Sequence, residues 1–503
     1  MLLFALPAIL SARTGLPPIS HTQDTLPLSA VATERLSSID AKALRANPIP
    51  LSEPGPMSFA ISQAVQITPQ TSGTWENLPE GGRLWRLRLE APGATDFNLG
   101  FRSYWLPWGA TLHILSERES DYEGPYTAHD NKPHGQLWTP PVPGDRITLE
   151  LYVPEAAEEA PQLTLVHVGV GYQDILRRQP FLKNHDTCHI DVVCPQGNEW
   201  RDEIRSVAML TIEGTRACTG TLIMDVPGTF RPFVLTAAHC EIDSTTAPTV
   251  VALWNFQATT CGAQNGASTQ SQSGATFRAS EADVDVTLIE LDDRPDASFE
   301  VFYSGWDRSG ITPQGSVGIH HPEAHVKSIS IDTDPPSSDV SCISTNVDET
   351  HWVVNNWEEG ITAVGSSGSG LWDSRTKSLV GVLSGGASFC SNPDGSDCYG
   401  KFSVAWTRGL STVLDPNNQG VLTVSGADPT TSLGSSPPSA PPDLAPEKPS
   451  IVALAPVKPI TQRPVAIARS SGGGCAMSPG SRFDPTLIGL LGLMVAYLAW
   501  RHR

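Results

Sequence analysis

The stretch Gly365-Ser366-Ser367-Gly368-Ser369-Gly370 determines how this sequence is interpreted. Its glycines allow a tight turn that presents one hydroxyl and two backbone amides to a common point, which is the arrangement that acyl transfer requires. A run of glycine and serine is by itself more typical of a flexible loop. Residues elsewhere in the chain therefore have to decide between the two interpretations.

Two stretches upstream of this turn favour catalysis. Val234-Leu235-Thr236-Ala237-Ala238-His239-Cys240 is an apolar strand end followed by two small residues and a histidine, and Asp285 opens the apolar run of residues 286–289. The heptad is the hallmark of trypsin-like serine proteases, and the acid matches their Asp-x-x-Leu pattern. The chain order His, Asp, Ser is that of chymotrypsin-like folds. The sequence thus resembles this family, which implies two six-stranded β-barrels with the active site at their junction.

The resemblance implies a role for each residue. Ser367 is the expected nucleophile, and His239 is expected to take its proton and return it to the leaving amine. Asp285 should hold the imidazole tautomer, and the amides of Gly365 and Ser367 should receive the developing oxyanion. Asp283 is a rival acid, but only Asp285 is followed by leucine three positions later.

The composition bounds the class of protein. With 503 residues, the chain is long enough for two folded units and tails. Its formal net charge of -20 argues against nucleic acid as a partner. The 43 prolines and 43 glycines indicate turn-rich β structure and linkers. We therefore expect an all-β protein, and we predict no cofactor.

Nine cysteines indicate the compartment. None precedes Cys188, eight lie between Cys188 and Cys398, and Cys475 stands alone near the end. An even set within one domain predicts disulfides formed outside the cytoplasm. A zinc site is disfavoured because no pair has Cys-x-x-Cys spacing. The adjacent His320 and His321 lack a carboxylate partner in their motif, so we interpret them as a structural turn and predict no metal site.

The N-terminal third has the pattern of a leader and a small β domain. Residues 1–20 are expected to be a signal peptide, with a frayed tail as the alternative. Alternating apolar and charged residues, as in Trp85-Arg86-Leu87-Arg88-Leu89-Glu90, predict strands with one buried face. We expect a β-sandwich at about residues 57–172, within a propeptide of residues 21–183 that assists folding or covers the cleft. An independent carbohydrate- or protein-binding module is the alternative.

The segment Cys188-His189-Ile190-Asp191-Val192-Val193-Cys194-Pro195 resembles the mature N-terminus of bacterial lysyl endopeptidases, and the resemblance extends to about residue 415. Those enzymes are made with an N-terminal propeptide and mature by cutting after lysine. The resemblance implies cleavage after Lys183, which exposes Asn184 and leaves a protease domain of residues 184–424. Cleavage after Arg178 and an uncut linker are the alternatives.

The same resemblances imply a set of disulfides, one shared with trypsin-like folds in general and two with lysyl endopeptidases. The implied pairs are Cys218–Cys240, Cys188–Cys390 and Cys194–Cys261. That pattern does not contain Cys342 and Cys398. A bond between these two would brace the loop next to the substrate pocket.

The residues around the turn differ from those of trypsins in two places. The run Gly360-Ile361-Thr362-Ala363-Val364 lacks the aspartate that binds a basic P1 side chain, and Ser366 replaces the aspartate that pairs with the new N-terminal amine. Release from the propeptide must therefore act otherwise. Lysyl endopeptidases place the P1 acid after the serine, a position that Asp397 matches. A buried carboxylate there would select a cationic side chain, whereas the alternative is a solvated loop aspartate. Ser384-Gly385-Gly386 resembles the segment that pairs with the substrate backbone.

The C-terminal region contains a linker and an apolar tail. Residues 425–471 are rich in proline, alanine, serine and threonine, which is typical of an extended spacer. Residues 472–503 contain Cys475, an apolar run at 487–500 and a basic end, and they resemble the tripartite sorting signals of Gram-negative bacteria. The resemblance implies a transient transmembrane hold that a sorting protease removes near Cys475. A permanent membrane anchor is the main alternative.

These observations predict a double β-barrel, chymotrypsin-like protease domain preceded by a β-sandwich propeptide. We expect an endopeptidase that is secreted or displayed on the surface of a Gram-negative bacterium. It should cut proteins or peptides after lysine, with arginine left open, through an acyl-enzyme. Its expected partners are its substrates, its own propeptide and a sorting protease. The competing hypothesis is a non-catalytic surface adhesin on a protease scaffold.

Overall fold

The structure is a computed structural model that describes residues 16–46, 55–117, 122–176, 188–263, 265–339 and 349–432. Several predictions made from the sequence lie outside these residues. They concern most of the signal peptide, most of the linker, the whole sorting signal and the residues Arg178, Lys183, Asn184, Cys342 and Cys475. The first residues predicted as linker are described, and there Ala427 pairs with Tyr303 and Asp428 with Arg205. No helix within the described ranges is both long and apolar enough to cross a membrane.

The described residues between 33 and 171 form two packed sheets with one core, as the alternating pattern predicts. The first sheet has the order β1-β5-β11-β7-β8 with β4 beside β5, and the second has the order β10-β6-β12-β3 with β9 beside β6. The strands of this segment, of which β2 lies in neither of the two sheets, are β1 (Thr33–Arg35), β2 (Met57–Ser58), β3 (Ala60–Ile67), β4 (Thr74–Asn77), β5 (Arg83–Glu90), β6 (Asp96–Trp105), β7 (Thr111–Ser116), β8 (Tyr122–Tyr126), β9 (Leu137–Trp138), β10 (Val142–Pro143), β11 (Arg146–Val153) and β12 (Gln162–Gly171).

The core of this sandwich contains the apolar residues of the alternating strands. In the pair β5–β11, Leu87 lies opposite Leu149 and Trp85 opposite Leu151, and all four side chains are buried. Such cross-strand pairs stabilise a sheet by packing against each other and against the facing sheet. The sandwich begins earlier than predicted, because β1 pairs in parallel with β5.

The described residues from 188 onward form two larger sheets, which are the half-barrels of the predicted protease domain and are called the protease sheets below. The first has the order β18-β17-β14-β15-β16-β20-β19, and the second β13-β23-β22-β26-β27-β28-β25-β24 with β21 and β29 at its side. The strands are β13 (Ile190–Asp191), β14 (Val207–Ile212), β15 (Arg216–Ile223), β16 (Phe233–Thr236), β17 (Val251–Trp254), β18 (Ser271–Ser273), β19 (Ala275–Glu281), β20 (Val286–Leu291), β21 (Trp306–Asp307), β22 (Ser316–His320), β23 (Ser328–Asp332), β24 (Ser337–Asp339), β25 (His351–Val354), β26 (Gly370–Asp373), β27 (Leu379–Gly386), β28 (Asp397–Lys401) and β29 (Thr423–Val424).

The α-helices of the described residues are short, with five residues at most. They are α1 (Ala41–Arg45), α2 (Arg201–Arg205), α3 (Phe402–Ala405), α4 (Ser411–Leu414) and α5 (Pro429–Ser432), with a π-helical turn at Trp406–Leu410 between α3 and α4. The fold is therefore all-β, as predicted. Each protease sheet contains more than the six strands expected, because short edge strands are added to it.

The segment that forms the sandwich also contacts the first protease sheet, through strand β2 and through an apolar cluster. β2 was predicted as part of the sandwich, but it pairs with β15 of the protease, with Met57 opposite Ala217. The cluster joins sandwich residues to protease residues. Its larger members are Met57, Phe59, Trp138, Ile175, Leu176, Met209, Leu253, Phe256 and Val326.

Disulfides tie the loops of the protease sheets together. The predicted bonds Cys188–Cys390, Cys194–Cys261 and Cys218–Cys240 are all present. Cys398 is also disulfide-bonded, and its predicted partner lies outside the described residues. Bonds that close long loops restrict the unfolded chain and so favour the folded protein.

Candidate active site

His239 and Asp285 are brought together by the pairing of β16 with β20. His239 follows the end of β16, Asp285 precedes the start of β20, and Thr236 lies opposite Thr287 in the ladder between the strands. The imidazole Nδ1 is 2.6 Å from Oδ2 of Asp285, and Oδ1 accepts the amide of His239 at 2.8 Å. This two-point contact fixes both the ring and its tautomer, with Nε2 left to act as a base.

The rival acid Asp283 lies elsewhere. Its side chain is 62% exposed and pairs with Arg408 at 3.2 Å, whereas Asp285 is 2% exposed. A solvent-exposed ion pair of this kind contributes little to stability. The geometry thus distinguishes Asp285 as the partner of His239.

The turn that carries Ser367 packs against the loop that carries His239. The amide of Thr219 donates to the carbonyl of Ser367 at 2.8 Å. A Cβ at Gly368 would lie 2.8 Å from the amide nitrogen of Ala237, and φ of Gly368 is +86°, so only glycine fits there. Ser367 itself is half-buried. Within the described residues its hydroxyl has no hydrogen bond to His239, and such bonds often tighten only when substrate is bound.

Two backbone amides of the turn are left without protein partners. Gly365 has φ of +92°, and among the described residues neither its amide nor that of Ser367 donates to the protein. The other amides of this loop, those of Ser366, Gly368 and Ser369, all donate to backbone carbonyls. Two free N–H groups that flank a paired one form the donor set that an oxyanion needs.

A network that sequence reasoning missed holds Gly365 in place. The Thr219 hydroxyl donates to the carbonyl of Gly365 at 2.9 Å and accepts the amide of His321 at 3.1 Å. The amide of Glu323 donates to the carbonyl of Val364 at 2.6 Å. These contacts join β15, the loop after β22 and the turn, which are far apart in sequence.

His320 and His321 belong to this region, although we predicted only a structural turn. His320 ends β22, and His321 opens the loop that follows. Both are fully buried. Burial lowers the pKa of His321 to about 3, so that ring is neutral, and its Nδ1 lies 2.8 Å from the carbonyl oxygen of His325.

Asp397 is a buried residue at the start of β28 and not a solvated loop residue. It is 1% exposed. Its Oδ2 accepts hydrogen bonds from the indole of Trp357 at 2.7 Å and from the hydroxyls of Thr362 and Ser388 at 2.7 and 2.8 Å. Burial raises the pKa of Asp397, and these bonds partly oppose the shift. Because Thr362 stands five residues before Ser367, the carboxylate lies beside the segment that leads into the turn.

The segment Ser384-Gly385-Gly386 ends β27, next to Asp397. Gly386 lies opposite Asp397 in the ladder with β28, and a Cβ on it would lie 2.3 Å from Oδ1 of that residue. A Cβ at Gly385 would meet no atom within 4 Å, so this face of the strand is open. Ser384 is buried and its hydroxyl is 3.2 Å from Nε2 of His351, a residue that no sequence motif indicated.

Two groups of side chains in the described ranges have the spacing of metal ligands. One is Cys188, His189 and Cys390, but its cysteines are disulfide-bonded and so cannot act as thiolates. The other is Asp332, Asp334 and Glu358. Glu358 already accepts hydrogen bonds from Thr333, and neither group contains a residue of the predicted active site.

Comparisons with known proteins show which families this chain is similar to. The family model described as lysyl endopeptidase, C-terminal domain, matches residues 182–400, and that of the lysyl endopeptidase N-terminal domain matches residues 28–166. A lysyl endopeptidase of Pseudomonas aeruginosa is 28% identical over 367 residues, which are 67% of this chain and 77% of that protein.

Solved structures also match the chain. A thermostable serine protease, AL20, from an extremophilic microorganism is 11% identical with a TM-score of 0.31, over 41% of this chain and 95% of its own. A Glu endopeptidase is 17% identical with a TM-score of 0.29, and the match covers 46% of this chain and 94% of the endopeptidase. The two family matches and the Pseudomonas relative span both the sandwich and the protease sheets. The chain is therefore a lysyl endopeptidase-like serine protease, and it acts as a serine endopeptidase.

Proposed function

We propose that this protein hydrolyses peptide bonds after lysine, with Ser367, His239 and Asp285 as its catalytic triad. The observation that carries the proposal is the geometry of one loop. Its turn bears the half-buried Ser367, whose own amide and that of Gly365 have no acceptor among the described residues. The turn packs against the loop whose histidine is fixed by a buried aspartate.

The chemistry follows from these positions. The Ser367 oxygen attacks the carbonyl carbon while Nε2 of His239 takes its proton, and the carbonyl oxygen becomes an anion held by the amides of Gly365 and Ser367. The intermediate collapses when His239 gives that proton to the leaving amine. Water, deprotonated by His239, then attacks the acyl carbon, and His239 returns the proton to the Ser367 oxygen as its bond to the acid breaks. Asp285 stays ionised and stabilises the imidazolium in both halves.

The bonds at Asp397 support lysine over arginine at P1. Three side-chain donors already converge on Oδ2, and the backbone of Ser388 also bonds the carboxylate, so both oxygens together are not free to receive a substrate cation. An ammonium is a compact point charge that one oxygen can bind, whereas a guanidinium binds best with both oxygens of a carboxylate. The carboxylate therefore suits a lysine side chain better than an arginine side chain.

We propose that the sandwich is a propeptide that assists folding of the first protease sheet. It supplies β2 to the edge of β15 and covers apolar residues of that sheet. The shared cluster extends to Ala324, whose amide nitrogen would lie 2.7 Å from a Cβ at Gly365. The contacts of the sandwich therefore extend to the residue that packs against Gly365, in the turn that carries Ser367. They favour a folding role over a separate binding module.

We also propose maturation after Lys183 and delivery to the exterior. The disulfides of the protease sheets support an oxidising compartment. Surface display through the sorting signal at residues 472–503 remains a prediction from the sequence.

Labelling with a phosphonate ester that carries a P1 lysine-like side chain tests this function. The reagent should attach one phosphonyl group to Ser367 of the matured enzyme, located by peptide mass spectrometry. Ser367→Ala should take up none, and Ser369→Ala should be labelled, because Ser369 is buried. Failure of the parent protein to react would favour the adhesin hypothesis.

A further inference from the structure

Ser366, the residue before the nucleophile, has a buried histidine as its partner. Nδ1 of His320 is 2.8 Å from the Ser366 hydroxyl, and Nε2 of the same ring is 3.0 Å from the hydroxyl of Ser330. The Ser366 hydroxyl also accepts the amide of Ala363 at 3.2 Å. His320 and Ser366 are both fully buried.

The position of the ring is fixed by the centre of the second protease sheet. His320 is the last residue of β22, a strand that lies between β23 and β26. In these ladders His320 lies opposite Ser328, and its neighbour Ile319 lies opposite Gly370, three residues after Ser367. The imidazole thus lies on a rigid element beside the turn.

Ser366 is the one residue between the two unpaired amides. The amide of Ser367 belongs to the peptide unit that Ser366 begins, and the amide of Gly365 lies one residue earlier. A side chain that holds Ser366 therefore sets the direction of both donors. The loop after His320 adds to this hold through the bonds of His321 to Thr219 and of Glu323 to Val364.

The contact needs no net charge. A neutral imidazole has one donor and one acceptor nitrogen, and each serine hydroxyl can adapt its own proton to either. An aspartate at position 366 would need a buried cation, because an unpaired buried carboxylate is costly. Serine and histidine at these positions satisfy each other within the protease sheet.

We propose that His320 is a positioning residue that fixes the oxyanion turn through Ser366, in the place where trypsins use an ion pair with a new N-terminus. This inference rests on the proposed function of the Gly365 and Ser367 amides. If His320 holds the turn, the turn is already ordered by residues of the protease sheet. Activation of this enzyme then occurs through release of the propeptide and not through ordering of the turn.

The test is a double-mutant cycle on the matured enzyme with a lysyl amide substrate. Ser366→Ala and His320→Gln should each lower kcat by about tenfold to a hundredfold, since small misplacements of reacting groups have costs of this size, while KM changes little. The double variant should be no slower than the worse single one, because both changes remove one contact. Ser330→Ala is the matched control, since it removes the hydroxyl on the other ring nitrogen, and it should lower kcat by less than about threefold.

Binding of n-butylammonium separates positioning from general damage. This probe would occupy only the P1 pocket, so its dissociation constant should stay within about twofold in every variant. The proposal would be overturned if the fold-losses in kcat of the two single variants multiplied in the double variant. It would also be overturned if the variants lost affinity for n-butylammonium by the same factor as kcat. An inactive parent enzyme would instead count against the proposed function.

Discussion

The indole nitrogen of Trp357 lies 2.7 Å from Oδ2 of Asp397, so this bond occupies one direction from which a guanidinium would approach. Trp357→Phe removes the donor and keeps most of the ring. We expect lysine and arginine substrates both to be cut more slowly, and the preference for lysine to narrow by about tenfold, the usual size for one bond to a charged group. Comparison of kcat/KM for matched lysyl and arginyl esters measures it.

Trp352→Phe is the control for this prediction. Trp352 is also buried in the same apolar cluster, but its indole nitrogen donates to the carbonyl of Val380. The lysine preference should be unchanged in this variant. A preference that moves equally in both variants would mean that packing, and not the bond to Asp397, sets it.

The raised pKa of Asp397 predicts how binding in the pocket depends on pH. Only the ionised carboxylate can pair with an ammonium, and burial raises its pKa above the usual 3.8. Binding of n-butylammonium should therefore be strong at neutral pH and weaken as pH falls, with a midpoint above 3.8. Calorimetric titration between pH 4 and pH 8 would follow it, and Asp397→Asn should bind weakly at every pH. A parent protein whose binding is independent of pH would exclude Asp397 as the partner.

Lys327 is predicted to make the protein less stable at and below neutral pH. It is fully buried, and its ammonium donates to the carbonyl of Ile204 at 2.7 Å. Burial lowers its pKa from 10.5 to about 7. Between these values the unfolded chain binds the proton and the folded chain does not, so this residue's contribution to stability rises with pH from 7 to 10.5. Below pH 7 the whole penalty is present.

Lys327→Met should thus stabilise the protein by about 2 kcal/mol at pH 6, after allowance for the lost bond to Ile204. The gain should shrink as pH approaches 9. Urea unfolding in a Ser367→Ala background, which avoids self-digestion, measures it. Lys327→Arg is the control, because a guanidinium keeps its charge, and it should be less stable than the parent at both pH values. A methionine variant less stable than the parent at pH 6 would disprove the account.

The contact between sandwich and protease predicts a folding defect. Phe59 is fully buried, and its amide donates to the carbonyl of Thr215 at 3.0 Å. Phe59→Ala should remove about 3 to 5 kcal/mol of packing free energy from the shared cluster and so lower the yield of active enzyme. The yield is measured by titrating the active-site serine of the purified protein with the phosphonate ester and dividing by the total protein. Trp108→Ala, at a sandwich residue that is 50% exposed, should leave it unchanged, and equal yields from both would argue against a folding role.

Local motifs explain why much of the site could be predicted from the sequence. The heptad ending at Cys240 and the acid at Asp285 each combine a chemical group with the strand that positions it, and their order identified the fold. The partners of Asp397 could not be predicted in this way. Trp357, Thr362 and Ser388 reach it only because β25, β28 and the loop before Ser367 meet in the folded sheet.

The same reason applies to His320. Its sequence neighbours suggested a turn, whereas its hydrogen-bond partner Ser366 is 46 residues away in the chain. The pairing of β2 with β15 was also hidden, since a two-residue strand has no detectable alternation. Contacts of this kind depend on topology and not on local pattern.

The central claim is tested most directly by mass spectrometry of a protein digest treated with the matured enzyme, beside Ser367→Ala and Asp397→Asn. The account predicts cuts confined to bonds after lysine in the parent, none in the serine variant, and slower, less selective cutting in the aspartate variant. Cuts after apolar residues by the parent would contradict the assignment of Asp397, and cutting that persists in Ser367→Ala would contradict the triad.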